Sequence, residues 1–196
     1  MNITIDQVKE LRDKTSISVM QCKKALEEAE GDMEKAMIIL SKKGAELAAK
    51  KGERTLNASM ISAYIHASGT VGAMVEIACE TDFVAKNDGF KTMAYDIAMH
   101  IAAQKPKYLK KDDITADEIE KAKEVFLPEV EGKPEEMKEK ILQGKLDSYF
   151  KEKVLLEQEF IKNPELTINQ LLESAVQKFG EKTEIVRFVR FGALEN

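Results

Sequence analysis

The residues best suited to covalent chemistry in this chain are few: the thiols Cys22 and Cys79, the imidazoles His66 and His100, and Asp82 three positions behind the second thiol. A cysteine with a histidine as base and an acid to orient it is the pattern of a nucleophilic hydrolase. Cys79, however, closes the apolar run "VGAMVEIAC", and His100 sits among apolar residues at helical spacing. Those settings read as a buried thiol and structural histidines. The other signatures of catalysis are missing from the sequence. No phosphate-binding GxxxxGK with Ser or Thr occurs, no GxGxxG follows a strand, and neither HExxH nor GxSxG is found. Neither cysteine belongs to a CxxC pair, so no metal set and no disulfide framework is expected. No enzyme activity and no cofactor follow from these residues.

One stretch resists a purely structural account. "CETDFVAKND", Cys79 to Asp88, leaves a strand pattern and precedes a helix pattern. Thr81 is placed to cap a short helical turn through Lys86, and Asp82 suits its positive end. Phe83 is left over. Either it packs on its own helix, or it is a knob for a partner, as aromatic hot spots are.

The elements that must carry this turn are legible from periodicity. Three helices are expected in residues 3–44. The first has a capping box from Thr4 to Gln7, the second is capped by Ser18, and the third starts at Asp32 and stops near Gly44. Residues 46–57, with Lys50, Lys51 and Arg54, lose the apolar period and read as a basic linker. A hairpin follows, in which "MISAYIH" and "VGAMVEIA" alternate around "ASGT". After the turn, Phe90, Met93, Ala94, Ile97 and Ile101 mark a helix that ends before Pro106. Charged helices occupy 115–155, one capped by Thr115, one from Pro134 to Gly144, and one carrying Leu146 and Phe150. A last helix capped by Thr167 runs to Gly180, and "EIVRFVRF" (184–191) is the third strand. The fold class expected is α+β: an N-terminal three-helix bundle (1–45), the linker (46–57), and a core (58–196) in which a small antiparallel three-stranded sheet packs with helices. A three-stranded sheet has two open edges, so self-association is expected.

Composition narrows the setting. A net charge of −5 over 196 residues argues against a general polyanion binder. The basic cluster Lys42, Lys43, Lys50, Lys51 and Arg54 lacks interleaved aromatics and reads as a solvated face, so no direct nucleic-acid partner is expected. Arg187 and Arg190 are either a partner-binding stripe or the wet face of the sheet. No apolar run reaches membrane-spanning length, no signal peptide is visible at "MNITIDQVKELRD", and two distant cysteines suit reduced thiols. A soluble, cytoplasmic protein is expected.

Three segments in order, "VKELRDKTSISVMQCKKALEEAEGDMEKA", "YIHASGTVGAMVEIACETDFVAKNDGF" and "EIVRFVRFG", resemble the elongation factor Ts family, and the resemblance covers nearly the whole chain. It implies a bundle of ubiquitin-associated type that docks on the GTPase domain of elongation factor Tu. It further implies that the TDFV turn, Thr81, Asp82, Phe83 and Val84, enters that GTPase near its Mg²⁺ and phosphate site and promotes GDP release. The family's Gly-Ala-Gly-Met-Met stretch between the first two helices is here Ser16, Ile17, Ser18, Val19 and Met20. Val19 and Met20 carry over as docking residues. Short relatives with a single core are homodimers, which agrees with the open sheet edges. The competing reading is a dimeric interaction protein with a recruiting bundle and no exchange activity.

Overall fold

The computed structural model describes residues 3–132 and 134–195. The protein is α+β. Its first three helices are α1 (Ile5–Thr15), α2 (Val19–Glu28) and α3 (Met33–Lys50). Each is started by a short polar side chain that accepts from a backbone N–H three residues on: Thr4 from Gln7, Ser18 from Gln21, Asp32 from Lys35. At Thr4 the Gln7 side chain returns the bond, completing the capping box. Leu11, Cys22, Ala25, Leu26, Ala36 and Leu40 close a core belonging to these helices alone. Between α1 and α2, Ser16 takes a left-handed backbone with φ of 56°. A residue with a side chain is strained there by about 1–2 kcal/mol, and glycine is not.

The third helix does not stop at Gly44. It continues two turns to Lys50 because its second half covers α8 (Ile168–Phe179), a surface its own sequence does not reveal. Gly44 is the contact point: a Cβ there would lie 3.3 Å from the Glu173 carbonyl oxygen. The stretch read as a basic linker is therefore partly helical, and it closes on the rest of the molecule. Lys51 is buried with its ammonium 3.9 Å from Glu80, and Arg54 donates to the same carboxylate at 2.9 Å.

The sheet has the order β1-β2-β5, all antiparallel, built from β1 (Ala58–Ile65), β2 (Val71–Cys79) and β5 (Thr183–Gly192). A bulge at Val186 shifts the register, so that Glu76 faces Arg187 while Ile77 faces Ile185. Ala73, Val75, Ile77 and Cys79 point inward onto α5 (Asp88–Gln104), whose Phe90, Ala94, Ile97 and Ile101 are fully buried. In β1 it is Met60 and Tyr64 that pack on this core, while Ile61 and Ile65 face outward. With Met74, Val189 and Phe191 they expose apolar side chains on the outer face of the sheet, around the Glu76–Arg187 ion pair. Arg190 points inward and donates to the Ala102 carbonyl in the last turn of α5 at 3.0 Å.

Two antiparallel helices, α6 (Ala116–Val130) and α7 (Glu135–Lys151), form an outlying hairpin with its own small core around Ala122, Leu146 and Phe150. The sequence reading divides α7 at Gly144, but the helix passes through it. The ~1 kcal/mol cost of a helical glycine is outweighed by burial of Leu146 and Phe150, two and six residues later. A further hairpin, β3 (Glu159–Phe160) and β4 (Asn163–Thr167), escapes the sequence reading because so short a strand shows no alternation. No helix among the described residues is long and apolar enough to cross a membrane.

Candidate functional site

The nucleophile constellation does not assemble. Cys79 is fully buried, and its thiol donates to the Thr81 carbonyl at 3.3 Å. Burial pushes that thiol up from its ordinary range, and the Glu181 carboxylate adds to the shift. Cys22, in the bundle core, is raised for the same first reason. His66 lies at the hairpin turn, at the far end of β2 from Cys79, with Nδ1 3.0 Å from the Tyr64 hydroxyl. His100 is buried in α5, where Nε2 meets Gln158 at 3.0 Å and Nδ1 accepts from the Ile161 N–H. Burial holds it below its ordinary range, hence neutral, as a structural imidazole should be. Among the described residues, no group of three His, Cys, Asp or Glu could hold a metal ion.

The turn after β2 is built differently. Asp82–Ala85 is a four-residue helix, α4, tied by Ala85 N–H to Thr81 O and Lys86 N–H to Asp82 O. Val84 and Ala85 are buried in the main core and anchor it. Phe83 goes the other way and is 82% exposed. Packing on its own helix, the alternative left open above, is thereby excluded. Asp82 is exposed and pairs with Lys86 at 3.0 Å.

Thr81 occupies the N-cap position, yet its hydroxyl does not cap the helix. Instead Thr81 gives both its donors to Glu181: N–H to Oε2 at 2.9 Å and Oγ1–H to Oε1 at 2.6 Å. One residue back, Glu80 accepts the Lys182 N–H at 2.6 Å. That bond, with Arg54 and Lys51 behind it, holds the Glu80 carboxyl below its ordinary value. Sequence reasoning missed Glu80 and Glu181. The one available signal was the Gly180 helix stop, which in the structure has φ of 71° and swings the chain back toward Thr81.

In the bundle, Val19 and Met20 form the first turn of α2 and are 55% and 69% exposed. Elsewhere several of the cationic candidates are paired within the chain. Lys43 pairs with Glu28, Lys51 and Arg54 with Glu80, and Arg187 with Glu76 at 2.8 Å.

The molecule thus presents apolar side chains on two helix starts, Val19 and Met20 on α2 and Phe83 on α4, and seals both thiols inside. The profile described as Elongation factor TS matches residues 4–195. The chain is 52% identical to Elongation factor Ts of Carboxydothermus hydrogenoformans over 96% of its own length and 88% of that protein's. It is 50% identical to that of Acetivibrio thermocellus, covering 96% and 89%, and 45% identical to that of Thermotoga petrophila, covering 97% and 96%. The chain belongs to the elongation factor Ts family, and its role lies in translation elongation.

Proposed function

We propose that this protein is the guanine-nucleotide exchange factor of elongation factor Tu, binding its GDP form and driving GDP out with the TDFV turn. The observation that carries the reading is Phe83, 82% exposed on a turn whose neighbours Val84 and Ala85 are locked in the core. Such a factor makes no covalent bond and is not an enzyme. It binds the nucleotide-free GTPase more tightly than the nucleotide-bound one, and reciprocity then requires nucleotide to bind more weakly in its presence.

Each residue has a part. Phe83 enters the GTPase beside its Mg²⁺ and phosphate site. Asp82, at the same tip, brings a carboxylate near a metal that demands near-octahedral oxygen ligands. Thr81 and Val84 set the turn's direction. The N-terminal module (1–45) docks through Val19 and Met20, the core (58–196) carries the wedge, and 46–57 joins them. GTP then displaces the factor. The protein works in the cytoplasm without direct contact to nucleic acid; its net charge of −5 disfavours the collection of a polyanion.

Burying a phenylalanine side chain is worth roughly 1.5–3 kcal/mol. If that contact exists only in the nucleotide-free complex, it weakens nucleotide by about 10- to 150-fold. With Phe83→Ala, release of fluorescent GDP from elongation factor Tu should slow by a factor in that range, at unchanged melting temperature. A release rate equal to that of the unmodified protein removes the wedge from the mechanism.

A second copy of the chain is the natural cover for the apolar outer face formed by Ile61, Ile65, Met74, Val189 and Phe191. Sedimentation equilibrium should return twice the 22.0 kDa chain mass; a single-chain mass at all concentrations overturns the homodimer.

A further inference from the structure

The β2–β5 ladder ends at the pair Cys79 and Thr183. Beyond it the two chains do not separate. Glu80 takes the Lys182 N–H at 2.6 Å, and Glu181 takes the Thr81 N–H at 2.9 Å and its hydroxyl at 2.6 Å. Two carboxylates, one from each side, thus replace the next rungs of the sheet. We infer that this crossed clasp, and Glu181 above all, is a positioning device that fixes the direction in which Phe83 is presented. The inference rests on the exchange reading above.

A helix of four residues cannot hold itself, since one turn of helix does not repay its own nucleation. Its N-cap residue has no side-chain cap bond. Val84 and Ala85 are buried on one side of α4, and the Cys79 thiol and the Asn87 N–H hold its backbone at each end; the Glu181 carboxylate is the side-chain acceptor that grips its N-cap residue. Hydrogen bonds to an ionised acceptor are the strong ones, and two from a single residue leave little freedom of rotation. Glu181 can reach Thr81 because Gly180, at φ of 71°, ends α8 in a left-handed turn with open space around it. Glu80 secures the base of the turn, and Arg54 and Lys51 tie that base to the segment leaving the bundle. The knob is therefore aimed before any partner arrives, which lowers the ordering cost of inserting it.

Glu181→Gln tests this, because it keeps the size of the side chain and puts an NH₂ group where Thr81 needs an acceptor. Release of fluorescent GDP from elongation factor Tu is measured with the full-length protein, Glu181→Gln, Phe83→Ala and the double variant. Glu181→Gln should slow release about tenfold, as expected for lost charge-assisted bonds. In the Phe83→Ala background it should change nothing, since its effect passes through that ring. Backbone ¹⁵N relaxation should show Asp82–Ala85 loosened in Glu181→Gln while the bundle amides stay unchanged. Equal slowing by Glu181→Gln in both backgrounds, or no slowing at all, overturns the positioning role even when Phe83→Ala is slow. If Phe83→Ala alone leaves release unchanged, the exchange reading fails and this one falls with it. An α4 as rigid in Glu181→Gln as in the unmodified protein overturns the clasp whatever the release rates show.

Discussion

Met20 and Phe83 hold the same position in two unlike helices: each is the second helical residue after the N-cap, and each is exposed. Around Met20 everything is local. The Ser18 hydroxyl accepts the Gln21 N–H three residues away, and Cys22, Ala25 and Leu26 seat the helix in the bundle's own core. Around Phe83 little is local. The Thr81 hydroxyl turns from its helix to a carboxylate 100 residues on in the chain, and the helix itself lasts four residues. One apolar knob stands on a helix that supports itself. The other stands on a turn that exists only because a distant loop and a buried core hold it.

The two knobs should part most clearly in kinetics. On the proposed function, Met20→Ala removes docking surface without touching the wedge, so the concentration of elongation factor Tu needed for half-maximal exchange should rise about tenfold while the maximal rate stays. Phe83→Ala should do the reverse, lowering the maximal rate. If Met20→Ala lowered the maximal rate and left the half-maximal concentration alone, the assignment of docking to one knob and displacement to the other would be broken.

Acid should loosen the second site and spare the first, because the Ser18 cap holds no titratable group. The Glu80 carboxyl is held below its ordinary value of 4.5 by the Lys182 N–H first, then by burial-opposed help from Arg54 and Lys51. A depressed carboxyl contributes its stabilisation fully above 4.5, and that contribution is lost as pH falls through the lower folded value. The Lys182 amide resonance should therefore titrate below pH 4.5, while Gln21 does not follow it. A Lys182 amide insensitive to acid would remove Glu80 from the clasp.

The smallest effect lies beside the bundle's knob. Ser16 is strained at φ of 56°, and Ser16→Gly relieves it against a larger loss of chain entropy, for a net gain of about 0.5 kcal/mol. A urea midpoint that fell would show that the Ser16 side chain, and not its backbone, matters at this corner.

Much of this protein was readable without coordinates, and particular residues show why. Thr4, Ser18, Asp32, Thr115 and Thr167 all start the helices expected of them, since a cap is a contract among residues three apart. The buried faces of β2 and α5 follow their periods. The readings that changed share a cause. Gly44 and Gly144 look like helix ends, and both are overridden by packing: of α3 on the distant α8 at Gly44, and of Leu146 and Phe150 on the neighbouring α6 just past Gly144. Thr81 looks like a cap, and is claimed instead by Glu181. The alternation in β1 leaves its inward side unassigned, and the structure turns Ile61 and Ile65 out.

From residues alone came the helix starts, the class of fold, and the peculiarity of an aromatic at Phe83, because each depends on chemistry within a few positions. Tertiary structure decided where α3 ends, which way β1 faces, and what grips the turn. Those outcomes depend on burial and hydrogen bonds between Lys51, Arg54, Glu80, Thr81, Glu181 and Lys182, and no window along the chain contains them all.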